Sequence, residues 1–147
     1  LCLFPFETDV YRKHDVAARF VGHPLADELA LQTEPAAARA RLGLSPTGNV
    51  VALLPGSRRG EVAAMAGLFL QVAQRLWQVH PRLSFVLPAA NPQRETELRR
   101  HLLEFPDLPV TLVPATACQG HSRAAMAAAD VVLAAAGTAT LEAALLK

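Results

Sequence analysis

The chain has 147 residues, 52% of them hydrophobic and 18% charged, with a formal net charge of +1. That length and apolar content suffice for one ordinary domain core and exclude a disordered tail. The near-zero net charge leaves no net field to attract nucleic acid or an anionic surface, so any anion must be bound locally.

Leu1 to Pro5 reads as a buried strand ended by Pro5, and Glu7 to His14 as a short helix with Val10 and Tyr11 on its inner side. Arg19 to Gly22 reads as a second short strand. Residues 25–46 carry scattered charges and Pro35 and Pro46, with a modest helix over 36–42, and read as an interdomain linker. From Asn49 the pattern becomes regular. A strand over 50–54 turns through Pro55-Gly56-Ser57 into a helix over 61–80, whose Val62, Met65, Phe69, Val72, Ala73, Leu76 and Val79 are expected to face a sheet. There follow a strand over 84–87, a helix over 92–103, a strand over 110–113, a helix over 122–129, a strand over 131–134 and a helix starting near Thr140. Strands alternating with helices of this length require parallel crossovers, hence an α/β doubly wound parallel sheet with ligands at the carboxyl ends of its strands.

Two loops follow buried strands and open helices. In the first, Gly56 and Gly60 permit close backbone approach, Ser57 can cap or donate, and Arg58 offers a two-pronged donor suited to phosphate. Spacing supports equally a capped turn with Ser57 as N-cap and Arg58 and Arg59 merely solvated. In the second, Gly137 permits a tight turn, amides from Thr138 onward point at an anion, Thr138 and Thr140 add hydroxyls, and Glu142 could accept from a ribose diol. Taken alone, this loop reads slightly better as a helix start with Thr138 as N-cap and Glu142 as a first-turn acid. Both loops sit at the same end of parallel strands, so they should share a crevice fit for a nucleotide diphosphate. The Gly-x-Gly-x-x-Gly pattern of nicotinamide and flavin sites is absent.

Asn91 should reach the crevice edge, although helix capping is the simpler reading, and His23 reads either as a site residue at the domain junction or, more commonly for such a position, as a hydrogen-bonded linker histidine. His80, His101 and His121 lack mutual spacing for metal binding and read as surface residues, so neither a metal nor another cofactor is expected. Trp77 should pack, Glu95, Glu97, Arg99 and Arg100 should form a solvated paired face, and Cys2 and Cys118 read as buried or inert thiols.

Three ordered strings carry a resemblance over essentially the whole chain. Leu3-Phe4-Pro5-Phe6-Glu7 with Phe20-Val21-Gly22-His23-Pro24-Leu25, then Leu53-Leu54-Pro55-Gly56-Ser57-Arg58 with Glu61-Val62, then Gly137-Thr138-Ala139-Thr140-Leu141-Glu142 resemble the lipid-A-disaccharide synthase family. Leu87-Pro88-Ala89-Ala90-Asn91-Pro92 is similar to it as well. The resemblance implies a bacterial GT-B glycosyltransferase of two facing Rossmann-like domains. Residues 1–24 would close the N-terminal acceptor domain, 25–46 would link, and 47–147 would form part of the C-terminal donor domain. It further implies inverting transfer of 2,3-diacylglucosamine from UDP to the 6-hydroxyl of 2,3-diacylglucosamine 1-phosphate (lipid X), in lipid A and lipopolysaccharide biosynthesis. Gly56, Ser57 and Arg58 would contact the diphosphate, with Arg58 stabilising the leaving group; Gly137, Thr138, Thr140 and Glu142 would hold phosphate and ribose, and Asn91 the donor. The general base would lie outside this sequence. Ala136 stands where the family usually has Ser, which removes one hydroxyl donor.

Apolar runs too short to span a bilayer, and the lack of a basic stretch before Leu1 to Phe6, predict a cytoplasmic protein without a signal peptide. Acylated substrates predict peripheral association with the inner face of the inner membrane through regions outside this sequence, and the full-length protein could form a homodimer. The chain opens in an apolar run and stops in a helical pattern, as an internal segment would, and by itself should be inactive. Two alternatives stand: another UDP-sugar enzyme, such as the peptidoglycan-type transferase or an epimerase, and a non-catalytic nucleotide-binding module.

Overall fold

The computed structural model describes residues 1–28, 34–117, 120–135 and 137–146. In chain order it holds helices α1 (Glu7–Arg12), α2 (Pro24–Glu28) and α3 (Pro35–Arg41), then strand β1 (Asn49–Leu54), α4 (Arg59–Val79), β2 (Leu83–Pro88), α5 (Pro92–Leu102), β3 (Val110–Val113), α6 (His121–Ala128), β4 (Val131–Ala134) and α7 (Thr138–Leu145). The chain divides into two units, Leu1–Gln32 and Thr33–Lys147.

In the second unit the four strands form one parallel sheet in the order β3-β2-β1-β4. β1 is buried from Val50 to Leu54, the continuous apolar run of a strand covered on both faces. Side chains alternate across the pleat. Val51, Leu53, Phe85 and Leu87 join Val62, Ala66, Phe69, Leu70 and Ala73 of α4 and Leu98 of α5 in one core, closed by Phe105 and Leu108. Val50, Ala52 and Val86, buried on the alternate positions, belong to the face on which α6 packs. Ala124, Ala125 and Ala128 of α6 are buried, and their small size lets that helix approach β1 and β2 closely. Burial of each large apolar side chain contributes about 1.5–3 kcal/mol, so this double-sided core carries the α/β arrangement that periodicity predicts.

The expected face of α4 needs correction. Trp77 does pack against the core, but Leu76 and Val79 are exposed. Ala66 and Ala73 allow close approach to the sheet, which turns the contacting stripe toward Leu70 and Trp77 and rotates Leu76 and Val79 outward.

In the first unit, the two expected strands reduce to a single parallel bridge between Cys2 and Phe20. The reason is local: Glu7 Oε2 accepts from the Leu3 and Phe4 amides at 2.8 and 2.7 Å, and Pro5 has no N–H, so no ladder can extend. α1 ends at Arg12, and Val10 and Tyr11 are exposed rather than inward. Cys2 is a buried free thiol; Cys118 lies outside the described residues. His23 Nδ1 accepts from the Leu25 amide at 3.2 Å.

The stretch 25–46, read as a linker, holds α3 and all but the first residue of α2, and α3 is built into the second unit by Arg39. Among the described residues Arg39 is the buried charged one, at 8% exposure. Its Nε donates to the Ala128 carbonyl (2.9 Å), its Nη1 to the carbonyls of Pro46 (3.3 Å) and Gly48 (3.1 Å), and its Nη2 to Asp130 Oδ2 (2.9 Å). Asp130 Oδ2 also accepts from the Val50 amide at 2.7 Å, and the Asp130 amide donates to the Val50 carbonyl at 2.8 Å. Asp130 keeps 49% of its side chain exposed, so solvent screens the coulombic part and the stranded carbonyls dominate the cost of losing Arg39. Arg39→Met is expected to destabilise the protein by about 2–3 kcal/mol, measured by urea unfolding. An unchanged midpoint would show that water replaces the guanidinium without penalty.

Candidate functional site

From β1 the chain winds outward to β2 and β3, then returns to place β4 on the other side of β1. The register aligns Leu54 with Ala134, so the loops leaving β1 and β4 start level and side by side. Such a reversal of winding opens a crevice at the carboxyl ends of the strands. A cavity of about 350 Å³ lies there, lined by Leu54, Gly56, Ser57, Arg58 and Glu61 from the first loop, Pro88 and Ala90 after β2, Ser122 and Met126 of α6, and Gly137, Thr138, Ala139 and Glu142 from the second loop. A hollow of about 370 Å³ near Asn49, His80 and Arg82 is instead at the amino ends, without a helix N-terminus to receive an anion.

The first loop is organised by Glu61. Its Oε2 accepts from the amides of Ser57 (3.0 Å) and Arg58 (3.2 Å), and its Oε1 from Arg58 Nη1 (2.9 Å). Arg58, not Ser57, is therefore the N-cap of α4; as arginine has no acceptor, the capping is done by the carboxylate at the third helical position. Gly56 makes this fold-back feasible. Its φ is +125°, and a Cβ there would lie 2.5 Å from Glu61 Cβ and 2.7 Å from Oε2. The Arg58 and Ser57 amides, in that order, hold the Glu61 carboxyl below its usual range; desolvation pushes it up by less than either amide lowers it, and the hydrogen bond and charge of the Arg58 guanidinium each lower it by less again. The Arg58 side chain is 84% exposed, so its remaining donors stay available.

The second loop is open by comparison. The N-cap of α7 is Gly137, not Thr138, at φ +85°, and it has no side chain to fold over the first-turn amides. Thr140 Oγ1 donates back to the Gly137 carbonyl at 2.7 Å, and Thr140 is not among the cavity-lining residues. Glu142 does line the cavity and faces Arg123 Nε of α6 at 3.7 Å. Ala136 lies outside the described residues.

Of the residues singled out from sequence, Gly56, Ser57, Arg58, Gly137, Thr138 and Glu142 converge on one cavity. Asn91 does not line it; its Oδ1 accepts from the Arg94 amide at 2.9 Å as the N-cap of α5. Glu61, Ser122 and Met126 were missed as lining residues, because the first reads as an ordinary helix-start acid and the others belong to a helix whose placement is not local. His121, expected at the surface, is half-buried and its Nε2 lies 2.7 Å from the Ala89 carbonyl. Of the expected solvated face on α5, Arg99 pairs with Glu95, whereas Glu97 pairs with Arg94, a residue outside that expectation, and both side chains of that pair are largely buried. Among the described residues, no three His, Cys, Asp or Glu side chains group as a metal site would require.

Residues 1–147 match the family model described as Lipid-A-disaccharide synthetase. The chain belongs to this family. Along its whole length it is 53% identical to the lipid-A-disaccharide synthase of Pseudomonas aeruginosa (strain UCBPP-PA14) and covers 38% of that protein. It is 52% identical over its whole length to the enzyme of the same name from Pseudomonas syringae pv. tomato (strain ATCC BAA-871 / DC3000), of which it covers 37%. The chain thus spans well under half the length of these synthases. The parallel sheet flanked by helices is consistent with part of a Rossmann-like GT-B fold.

Gly56→Ala is expected to break the Glu61 contacts and lower the melting temperature, because the new methyl must displace Glu61 at a backbone φ that L-residues rarely adopt. An unchanged melt together with an unshifted Glu61 carboxyl would contradict the fold-back. The Glu61 carboxyl itself should titrate below the usual carboxylate range, and should remain depressed in Arg58→Ala because the Arg58 backbone amide is the largest cause. The stability it contributes is present above the unfolded-state pKa and is lost as pH falls through the depressed folded value. Carboxyl NMR titration of the two proteins checks this, and a normal midpoint in Arg58→Ala would assign the effect to the guanidinium instead.

Proposed function

We propose that this chain supplies the first part of the sugar-nucleotide half of a lipid-A-disaccharide synthase. In this reading residues 1–24 close the acceptor domain and 47–147 begin the donor domain. The protein joins UDP-2,3-diacylglucosamine to 2,3-diacylglucosamine 1-phosphate, releasing UDP and the disaccharide 1-phosphate. The observation that carries the reading is the meeting, in one cavity at the point where the sheet reverses, of the Arg58 loop and the open start of α7.

The chemistry assigns distinct work to these groups. The acceptor 6-hydroxyl oxygen bonds to the anomeric carbon as the bond from that carbon to the diphosphate breaks, and the hydroxyl proton passes to a base outside this sequence. Negative charge then accumulates on the departing diphosphate. The free donors of Arg58 and the first-turn amides of α7 are suited to receive it, and preoriented donors lower the barrier because they need not reorganise as charge develops. Glu142, with Arg123 beside it, is suited to accept from the ribose hydroxyls. Both sugars carry acyl chains, and no helix of the described residues is long and apolar enough to cross a membrane, so we place the protein peripherally on the inner membrane's cytoplasmic surface.

The test is release of UDP from UDP-2,3-diacylglucosamine by the full-length protein, with and without lipid X. Release should depend on the acceptor, and Arg58→Ala should lower kcat/KM by on the order of 100-fold. UDP binding without transfer would instead point to a nucleotide-binding module, and full activity in Arg58→Ala would remove this residue from the leaving-group site.

A further inference from the structure

We propose that Glu61 is an internal occupant of the phosphate cradle, which a nucleotide must displace to bind. The inference rests on the reading of the crevice as a UDP site and concerns how that site is filled before UDP arrives. At the mouth of the cavity, one carboxylate collects the Ser57 amide, the Arg58 amide and one arm of the Arg58 guanidinium, all within 3.2 Å. These are the donors by which a strand-to-helix loop holds a phosphate. An N–H well aligned on one acceptor is not free for a second, so the loop cannot hold Glu61 and a diphosphate oxygen in the same way at once.

The geometry is that of a surrogate ligand. Glu61 reaches back only because Gly56 lacks a Cβ, and more than one-third of its side chain is exposed, so water is at hand to solvate the carboxylate when a phosphate displaces it. Among the described residues no side chain caps the start of α7, where Gly137 is the N-cap. Binding therefore exchanges a carboxylate for a phosphate at α4 while filling the open donors at α7. Glu61 weakens the affinity for every ligand that places phosphate on the α4 loop, and it keeps Arg58 ordered while the site is empty.

Calorimetric titration of the full-length protein with UDP and with uridine separates the possibilities. Glu61→Ala should bind UDP roughly tenfold more tightly than the wild type, with Glu61→Gln between them, while uridine affinity stays unchanged. Glu61→Gln keeps an acceptor oxygen for the helix cap and so serves if the alanine variant folds poorly. Weaker or unchanged UDP binding in both variants, or equal tightening for uridine, overturns the inference while leaving the UDP site in place. Failure of all three proteins to bind UDP overturns the UDP site itself, and the inference with it.

Discussion

A single carboxylate oxygen sets the frame on which the crevice depends. Asp130 Oδ2 accepts from both the Val50 amide and the Arg39 guanidinium, and the Asp130 amide returns a bond to Val50. These bonds pin the amino end of β4 to the amino end of β1. Register in a parallel pair is then transmitted along the strands, so Leu54 and Ala134 finish level and the loops that follow them start as neighbours. Arg39 extends the same constraint to α3, the loop before β1 and the end of α6. A buried cation is costly unless its donors are satisfied, and here a carboxylate and three carbonyls do so.

The two helix starts that reach the crevice use the same physics differently. Each presents backbone amides and a partial positive charge. At α4 that potential is met within the chain by Glu61, which also holds one arm of Arg58. At α7 a glycine N-cap leaves the potential turned toward the cavity. The crevice is therefore half filled from within the chain and half open.

Much of this was legible along the chain. The alternation of apolar runs with amphipathic stretches specified the α/β class, and all four strands appear within about one residue of their expected limits. Both loops were recognisable from Gly56, Arg58, Gly137 and Thr138. Errors arose where a local pattern had several acceptable outcomes. Leu76 and Val79 fit a helical stripe, but Ala66 and Ala73 decided how the helix met the sheet. Ser57 and Thr138 are good capping residues in isolation, but a glutamate in one loop and a glycine in the other occupy those roles. Asn91 carried both a site reading and a capping reading, and its Oδ1 caps α5.

The family, the parallel α/β class and the two strand-to-helix loops that meet at the crevice could be read along the chain, because they rest on short-range periodicity, turn chemistry and ordered motifs. The clamping of α3 into the second unit by Arg39, the place of β4 beside β1, and the lining of the crevice by Ser122 and Met126 emerge only in three dimensions. So does the position of Glu61 on the donors of the first loop. Those facts depend on pairings between residues far apart in the chain and on competition among acceptors for a limited set of donors, neither of which has a periodic signature.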